Sequence, residues 1–303
     1  MQQHQIALAA EGLQMTYGET RALAGVDLSI GRGEICAVLG HNGAGKTTFI
    51  RCALGLTRPD VGATTVLGHP AGSPAARQRI GAMLQDVDLP DLLTAREQLE
   101  LYASYYEAPA SVEAVIATAN ITAFADERYK KLSGGQKRRV QFAAALIGQP
   151  ELLFLDESTT GLDTDARRAV WDNVRRLAAA GTTVVLTTHY LEEADALADR
   201  IVVLADGAVI ADDTTSAIRD RVGGARISFA SSLGEAQLAA LPGVVEISVD
   251  DSRVALLSDR TNATLSAVLA ADPNLTDLNV RRPSLEEAFS VLTASTPSQG
   301  AQV

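Results

Sequence analysis

Residues 33–53, GEICAVLGHNGAGKTTFIRCA, leave this chain little choice of fold. GEICAVLG is an apolar run without polar alternation, which predicts a strand buried on both faces. KTTFIRCALGL continues with helical spacing. Between them, GHNGAGKT fits G-x-x-x-x-G-K-[ST], and a strand–loop–helix setting is the one in which that pattern carries meaning. Its glycines let the backbone curl so that several N–H groups converge on an anion at the helix start. Lys46 can reach β- and γ-phosphates as a point charge, and Thr47 can offer its hydroxyl to Mg²⁺. A Gly-rich turn with a chance lysine is the bland alternative, and the flanking strand and helix count against it.

The pattern repeats downstream. RIGAMLQ (79–85), ELLFLD (151–156) and TTVVLTTH (182–189) read as further buried strands separated by helical stretches. Such an order predicts a parallel sheet covered on both faces. Ligands of such sheets bind at the C-terminal strand ends. There stand Gln85, Asp156 with Glu157 beside it, and His189. Asp156 suits a Mg²⁺ shell, and Glu157 is the candidate to polarise an attacking water. His189 is expected near the γ-phosphate. RIVVLADGAVIADD reads as a hairpin turned by Asp206 and Gly207. In LTAREQLELYASYY, Thr94 and Glu97 have capping-box spacing.

Composition excludes some classes. The 303 residues are 47% hydrophobic and 21% charged, with a net charge of −11, so no nucleic-acid surface is expected. Cys36 and Cys52 sit in apolar runs without metal or redox spacing, which predicts buried thiols and fits a reducing compartment. The N-terminus does not read as a signal peptide, and no run approaches ~18 apolar residues. The chain is therefore expected to be soluble alone while able to dock on an embedded partner.

KLSGGQKRRV (130–139) breaks two local rules. It starts a helix with two glycines, each costing about 1 kcal/mol relative to alanine. It then adds three cations where the helix dipole favours anions. Ser133 and Gln136 have capping-box spacing, which explains those two residues but not Gly134 and Gly135. Glycines there are useful if something approaches the backbone closely. A bare helix N-terminus is an anion site. The stretch thus reads as a second phosphate site, with the cations awaiting a negative partner.

After residue ~220 the texture changes. Gly223-Gly224 reads as a linker, and a β-α-β-β-α-β order follows, ending in a helix capped by Ser284 and Glu287. Residues 222–303 carry 5 Lys/Arg against 9 Asp/Glu, which speaks against nucleic acid. Residues 296–303 read as a disordered tail.

GHNGAGKT, the Gln85 turn, LSGGQ, LLFLDE, STTGLD (158–163) and His189 together closely resemble the ATP-binding subunits of ABC transporters, in the family's order and spacing over residues ~5–220. THYLEEAD and RRPSLEEAF resemble the ATPases of ABC-2 type exporters, including drug and antibiotic resistance pumps. The resemblance implies an α/β P-loop NTPase fold of the ABC ATPase type over 1–220. A helical subdomain at about 86–150 would meet the membrane partner, and a small α+β appendage would span 221–295. It implies ATP and Mg²⁺ as ligands, an integral membrane permease as partner, and a place on the cytoplasmic face of the membrane. It also implies a head-to-tail dimer, of two copies or with a paralogue, in which each ATP lies between one P-loop and the other subunit's LSGGQ. Tyr17 would then stack on adenine. Gly40, His41, Asn42, Gly43, Ala44, Gly45, Lys46, Thr47 and Thr48 would form the phosphate loop, with His41 at a variable position that has no chemistry of its own. Thr47, Gln85 and Asp156 would serve the metal, Glu157 would be the general base, and His189 the γ-phosphate sensor. Ser133, Gly134, Gly135 and Gln136 would reach the partner's ATP, and Asp163 would couple the two sites. Ser158 departs from the proline usual after the Glu, which predicts a looser turn.

Rival readings are an importer ATPase, a soluble ABC protein acting on ribosomes or DNA, and a small-molecule kinase. The soluble proteins usually carry two cassettes or a long coiled-coil insertion. Here Lys46 and Asp156 are 110 residues apart with no sustained heptads. A kinase leaves LSGGQ and STTGLD unexplained.

Overall fold

The computed structural model describes residues 5–85, 87–220, 224–231, 233–250, 253–282 and 284–294. The chain opens with β1 (Ile6–Tyr17) and β2 (Thr20–Gly31), then β3 (Ile35–Leu39), the glycine loop and α1 (Lys46–Ala53). β4 (Val61–Val66), β5 (His69–Pro70), α2 (Pro74–Arg77) and β6 (Ile80–Met83) follow. A helical stretch holds α3 (Ala95–Ala103), α4 (Val112–Thr118) and α5 (Gly134–Leu146). The remaining elements of this part are β7 (Leu152–Asp156), α6 (Thr164–Ala179), β8 (Thr183–Thr187), α7 (Leu191–Leu197), β9 (Arg200–Ala205) and β10 (Ala208–Thr214).

The central sheet has the order β10-β9-β3-β8-β7-β6. β3 pairs in parallel with β8 and β9, and β7 with β6 and β8. Every residue of β3, β7 and β8 is buried, as their continuous apolar runs predict. β10 folds back on β9 through Asp206 and Gly207, with φ of +49° and +75°, the consecutive left-handed pair that a two-residue hairpin turn uses.

A second sheet, order β2-β1-β4-β5, was not legible as such. In β1 the register slips between Ala10 and Leu13, at Gly12, whose N–H donates to Asp27 Oδ1 at 2.7 Å. The bulge destroys the two-residue alternation that identifies a strand. This sheet matters because α1 is clamped between it and the central sheet. Phe49 and Ile50 of α1 are fully buried in one core with Leu8, Leu13 and Leu23 from β1 and β2, and Val38, Phe154 and Val185 from β3, β7 and β8. Burying such side chains contributes about 1.5–3 kcal/mol each. The helix that carries Lys46 at its first turn is therefore rigidly seated.

Sequence boundaries shift at three elements. β6 ends at Met83, so Gln85 stands two residues past its strand. β8 ends at Thr187, and the Thr188 hydroxyl accepts the Tyr190 N–H at 2.9 Å, turning the chain, so His189 stands two residues past the strand. α3 stops at Ala103, short of Tyr106, where the Ser104 hydroxyl donates to the Leu101 carbonyl. Its start is as expected, with both capping-box bonds between Thr94 and Glu97.

A second compact unit begins at Thr214. It contains α8 (Thr215–Asp220), β11 (Ala225–Ala230), α9 (Glu235–Ala239), β12 (Val244–Asp250), β13 (Arg253–Ser258), α10 (Thr261–Ala271), β14 (Thr276–Arg281) and α11 (Leu285–Ala294). Its antiparallel sheet has the order β12-β13-β11-β14, the ferredoxin-like arrangement of a β-α-β-β-α-β chain. Ile227, Phe229, Leu238, Val254, Leu256 and Val268 form its own core. Ser284 and Glu287 cap α11 reciprocally, and α8 packs against α11. Gly223 of the expected linker and the expected tail at 296–303 lie outside the described residues.

Candidate active site

The glycine loop is built by necessity at two positions. Gly45 has φ +103°, and a Cβ there would lie 2.4 Å from the Ala22 carbonyl oxygen. Gly40 has no room either, since its Cβ would lie 2.5 Å from the Leu204 oxygen and 2.8 Å from the Ala44 Cβ. Buried Ala44 ties the loop to the β9–β10 turn by accepting the Gly207 N–H at 3.2 Å. α1 is capped by Gly45, which offers no side-chain cap, and has no acid in its first turn, so its leading N–H groups are open to an anion. The Lys46 ammonium donates to the carbonyls of Gly40 at 2.8 Å and His41 at 3.0 Å. Burial lowers its pKa, opposed by the Glu157 and Asp156 carboxylates. His41 points elsewhere, to the Asn42 carbonyl and toward Asp206.

Asp156 ends β7 at 1% exposure. Its Oδ1 accepts the Thr187 hydroxyl, while Oδ2 is buried and accepts no hydrogen bond. Burial raises this carboxyl above its ordinary value, and the Thr187 and Thr47 hydroxyls and the Lys46 ammonium oppose the rise. A buried carboxylate oxygen without a partner is costly unless a cation completes it. Among the described residues no cluster of three or more His, Cys, Asp or Glu could cage a metal. A carboxylate with hydroxyl and amide oxygens nearby is the donor set of Mg²⁺ held jointly with phosphate.

Glu157 follows in the left-handed region, φ +49°, where a non-glycine residue is strained. Its N–H donates to the Thr187 carbonyl at 3.0 Å and hydroxyl at 3.3 Å. With Ser158 buried at 4% exposure, this turn is fixed from the neighbouring strand and not by a proline. Thr187 thus orients both acids, a role that no sequence signal announced. The Glu157 carboxylate lies 3.5 Å from His189 Nδ1.

A cavity of about 540 Å³ opens over these groups. Asn42, Gly43, Gly45, Lys46, Thr47, Thr48, Gln85, Glu157 and His189 line it, so residues from four strand ends converge. Thr20 and Ala22 of β2 also line it and were missed, for want of any local pattern. Tyr17 does not line it. It stands 48% exposed at the end of β1, paired across the hairpin with Thr20. Asp163 is outside as well, where its Oδ1 caps α6 by accepting the Ala166 N–H at 2.8 Å.

Ser133–Gln136 form no part of this cavity. Ser133 and Gln136 make both bonds of a capping box. Gly134 and Gly135 have ordinary helical φ, and a Cβ on Gly134 would meet nothing within 4 Å. On Gly135 it would touch only Leu162, at 3.5 Å. Neither conformation nor packing within this chain requires glycine there. The cations, in contrast, do not await a partner. Lys137 lies 3.9 Å from both Asp88 and Asp91 and over the Tyr129 ring. Arg138 donates to Gln141 and to the Gln85 carbonyl. Arg139 donates to the Asn120 carbonyl and lies over Phe124. Lys137 and Arg138 fasten the loop that carries Gln85 to the start of α5.

Comparison with known proteins agrees with this geometry. The ABC transporter family matches residues 23–160. A daunorubicin resistance ATP-binding protein of Streptomyces coeruleorubidus is 41% identical over 95% of this chain and 96% of its own length. A Nod factor export ATP-binding protein of Rhizobium sp. (strain N33) is 40% identical over 70% of this chain and 72% of its own. Among solved structures, a dimeric post-hydrolysis state of an ATP-binding cassette with ADP and Pi has a TM-score of 0.64 at 28% identity, covering 68% of this chain and 98% of that one. The chain belongs to the ABC transporter family, as an ATP-hydrolysing subunit of the ABC-2 exporter type.

Proposed function

We propose that ATP binds over the Gly40–Thr48 loop and is hydrolysed between this loop and the α5 start of a second ATPase subunit. The α1 N–H groups and Lys46 take the phosphates. Thr47, Gln85 and the unpartnered Oδ2 of Asp156 are the residues that would hold Mg²⁺. When bound, that ion supplies charge neutralisation of the β- and γ-phosphates. Glu157 accepts the proton of the attacking water as its oxygen bonds to the γ-phosphorus, and the bond to the bridging oxygen of ADP breaks. His189, 3.5 Å from Glu157, is placed to hold the γ-phosphate side of the site. Tyr17 takes the adenine, and Asp163 serves the interface between subunits.

The observation that carries the dimer is the pair Gly134 and Gly135, free of any structural reason within this chain to be glycine. Two copies of the chain suffice, because each supplies a complete set of these residues.

Among the described residues no helix is long and apolar enough to cross a membrane. The likeness to exporter ATP-binding proteins supports a separate membrane permease as the partner, with the chain working on the cytoplasmic face. Val87, Leu92, Leu101 and Tyr105 are exposed around the α3 region, beside an apolar cleft lined by Met83, Leu84 and Tyr102. They are the surface on which that permease docks.

Glu157→Gln tests the site. With the base gone and the charge near the phosphates reduced, ATP should hold two subunits together without turnover. Size-exclusion chromatography with ATP and Mg²⁺ should show a dimer, with ATPase activity lowered at least ~10²-fold, the lower end of a general base's contribution. Parental turnover in this variant refutes Glu157 as the base.

A further inference from the structure

We propose that Tyr190 is a positioning residue for His189, an aromatic platform that sets the imidazole toward Glu157 and the phosphate. The proposal rests on the reading of His189 given above and adds to it the device that holds the ring.

The His189 side chain is 41% exposed. Its ring lies against Tyr190, with centroids 4.1 Å apart and planes tilted by 39°. Tyr190 is in turn covered by Arg167, whose guanidinium carbon is 4.8 Å from the ring centre. Among the described residues no carboxylate pairs with Arg167, and its buried Nε has no hydrogen-bond partner. The cation is thus committed to the aromatic ring rather than to an acid.

The platform is anchored at every point. The Tyr190 N–H is held by the Thr188 hydroxyl, and its carbonyl accepts the first turn of α7. Arg167, Trp171 and Arg175 recur every four residues on one face of α6. They meet α7 in sequence. Arg167 covers Tyr190, the Trp171 indole N–H donates to Glu193 at 3.1 Å with both side chains buried, and Arg175 donates to the Ala196 carbonyl at 3.0 Å. α6 begins at the Asp163 cap one turn before Arg167. A fixed rail therefore runs from the Asp163 turn through Arg167 and Tyr190 to His189. An aromatic contact of this kind is enough to bias a side-chain conformer roughly two- to tenfold.

The test uses the full-length chain. Tyr190→Leu should lower kcat for ATP roughly fivefold with KM changed less than about twofold, and Arg167→Met should act in the same direction. Tyr190→Phe, which keeps the ring, should restore parental kinetics. In NMR spectra the His189 Hε1 resonance, assigned by its loss in His189→Ala, should carry an upfield ring-current shift in the parent and in Tyr190→Phe, and lose it in Tyr190→Leu. A parental kcat in Tyr190→Leu, a rise in KM alone, or an unchanged His189 resonance overturns the proposal. If Tyr190→Leu does not fold, Arg167→Met and the parental resonance decide it: an unshifted resonance or unchanged kcat is equally fatal. Parental turnover in His189→Ala would instead sink the role of His189, which the resonance distinguishes from failure of the stacking.

Discussion

Gly134→Ala should make the isolated chain more stable and nearly abolish its activity. Gly134 is the first residue of α5, in helical conformation, and its Cβ would project into open space. Alanine therefore adds no strain and no clash in the folded chain, while it restricts the unfolded one. Compatible Gly→Ala changes stabilise by about 0.4–1 kcal/mol. For a chain of 303 residues that raises the midpoint of thermal unfolding by about 0.6–1.6 °C. In the proposed dimer, the same methyl group would stand where a second subunit's ATP approaches the α5 N–H groups. Losing one backbone donor at a site of developing negative charge costs roughly 10²–10³ in turnover. A thermal scan without nucleotide and a steady-state ATPase assay on one preparation give both signs. A lower midpoint would mean that the glycine serves the fold. A higher midpoint with parental turnover would mean that nothing approaches this helix start, and the dimer reading fails.

Two further perturbations follow from named contacts. Thr187→Val removes the hydroxyl that donates to buried Asp156 and accepts from Glu157. It should cost about 1.5–3 kcal/mol, the range for a hydrogen bond to a charged group, read as a lower urea midpoint with unchanged m, with Thr187→Ser restoring it. An unchanged midpoint would show that Thr187 does not orient the acids. Glu151 accepts from Arg79 at 2.5 Å and from Arg32 at 2.7 Å, and the Arg79 hydrogen bond leads in holding its pKa down at about 2 from 4.5. A depressed carboxylate adds stability above its unfolded value and loses it as pH falls through the folded one. The gap in urea midpoint between the parent and Glu151→Gln should be full above pH ~5 and close as pH falls toward about 2. A gap independent of pH would show that the pair does not act through charge.

What could be read from the sequence followed the length of the pattern that carried it. β3, β7 and β8 were legible because burial on both faces forces uninterrupted apolar runs. Asp156 and Glu157 were legible because they end such a run. β1 and β2 were not, since register irregularities at Gly12 in β1 and Gly25 in β2 break the alternation. Thr20 and Ala22 reach the cavity from that sheet, so they were lost with it. Thr187 was hidden differently. It reads as one more residue of a buried strand, and only the neighbouring strand end shows that its hydroxyl and carbonyl serve Asp156 and Glu157. The Glu157 turn illustrates the same limit, since a left-handed residue clasped across strands leaves no trace in the local sequence.

The α5 start shows how a violated local rule can have two unrelated causes. Its glycines and its cations looked like one anomaly, an anion site with cations awaiting the anion. In the fold they separate. Lys137, Arg138 and Arg139 are engaged by Asp88, Asp91, the Gln85 and Asn120 carbonyls and two aromatic rings, all within the chain. They cost the helix some dipole energy and, in exchange, tie its start to the Gln85 loop. Gly134 and Gly135 have no such internal account. The anomaly left unexplained by the monomer is therefore confined to two residues. Both N–H-bearing positions are held in place by the Ser133–Gln136 box and by the cations' anchors. A helix start that is held rigidly, stripped of side chains and joined to the loop of its own nucleotide cavity can report on that cavity while serving another. In the proposed dimer, the Arg138–Gln85 hydrogen bond would join each cavity to the helix start that serves the other, alongside the coupling assigned to Asp163.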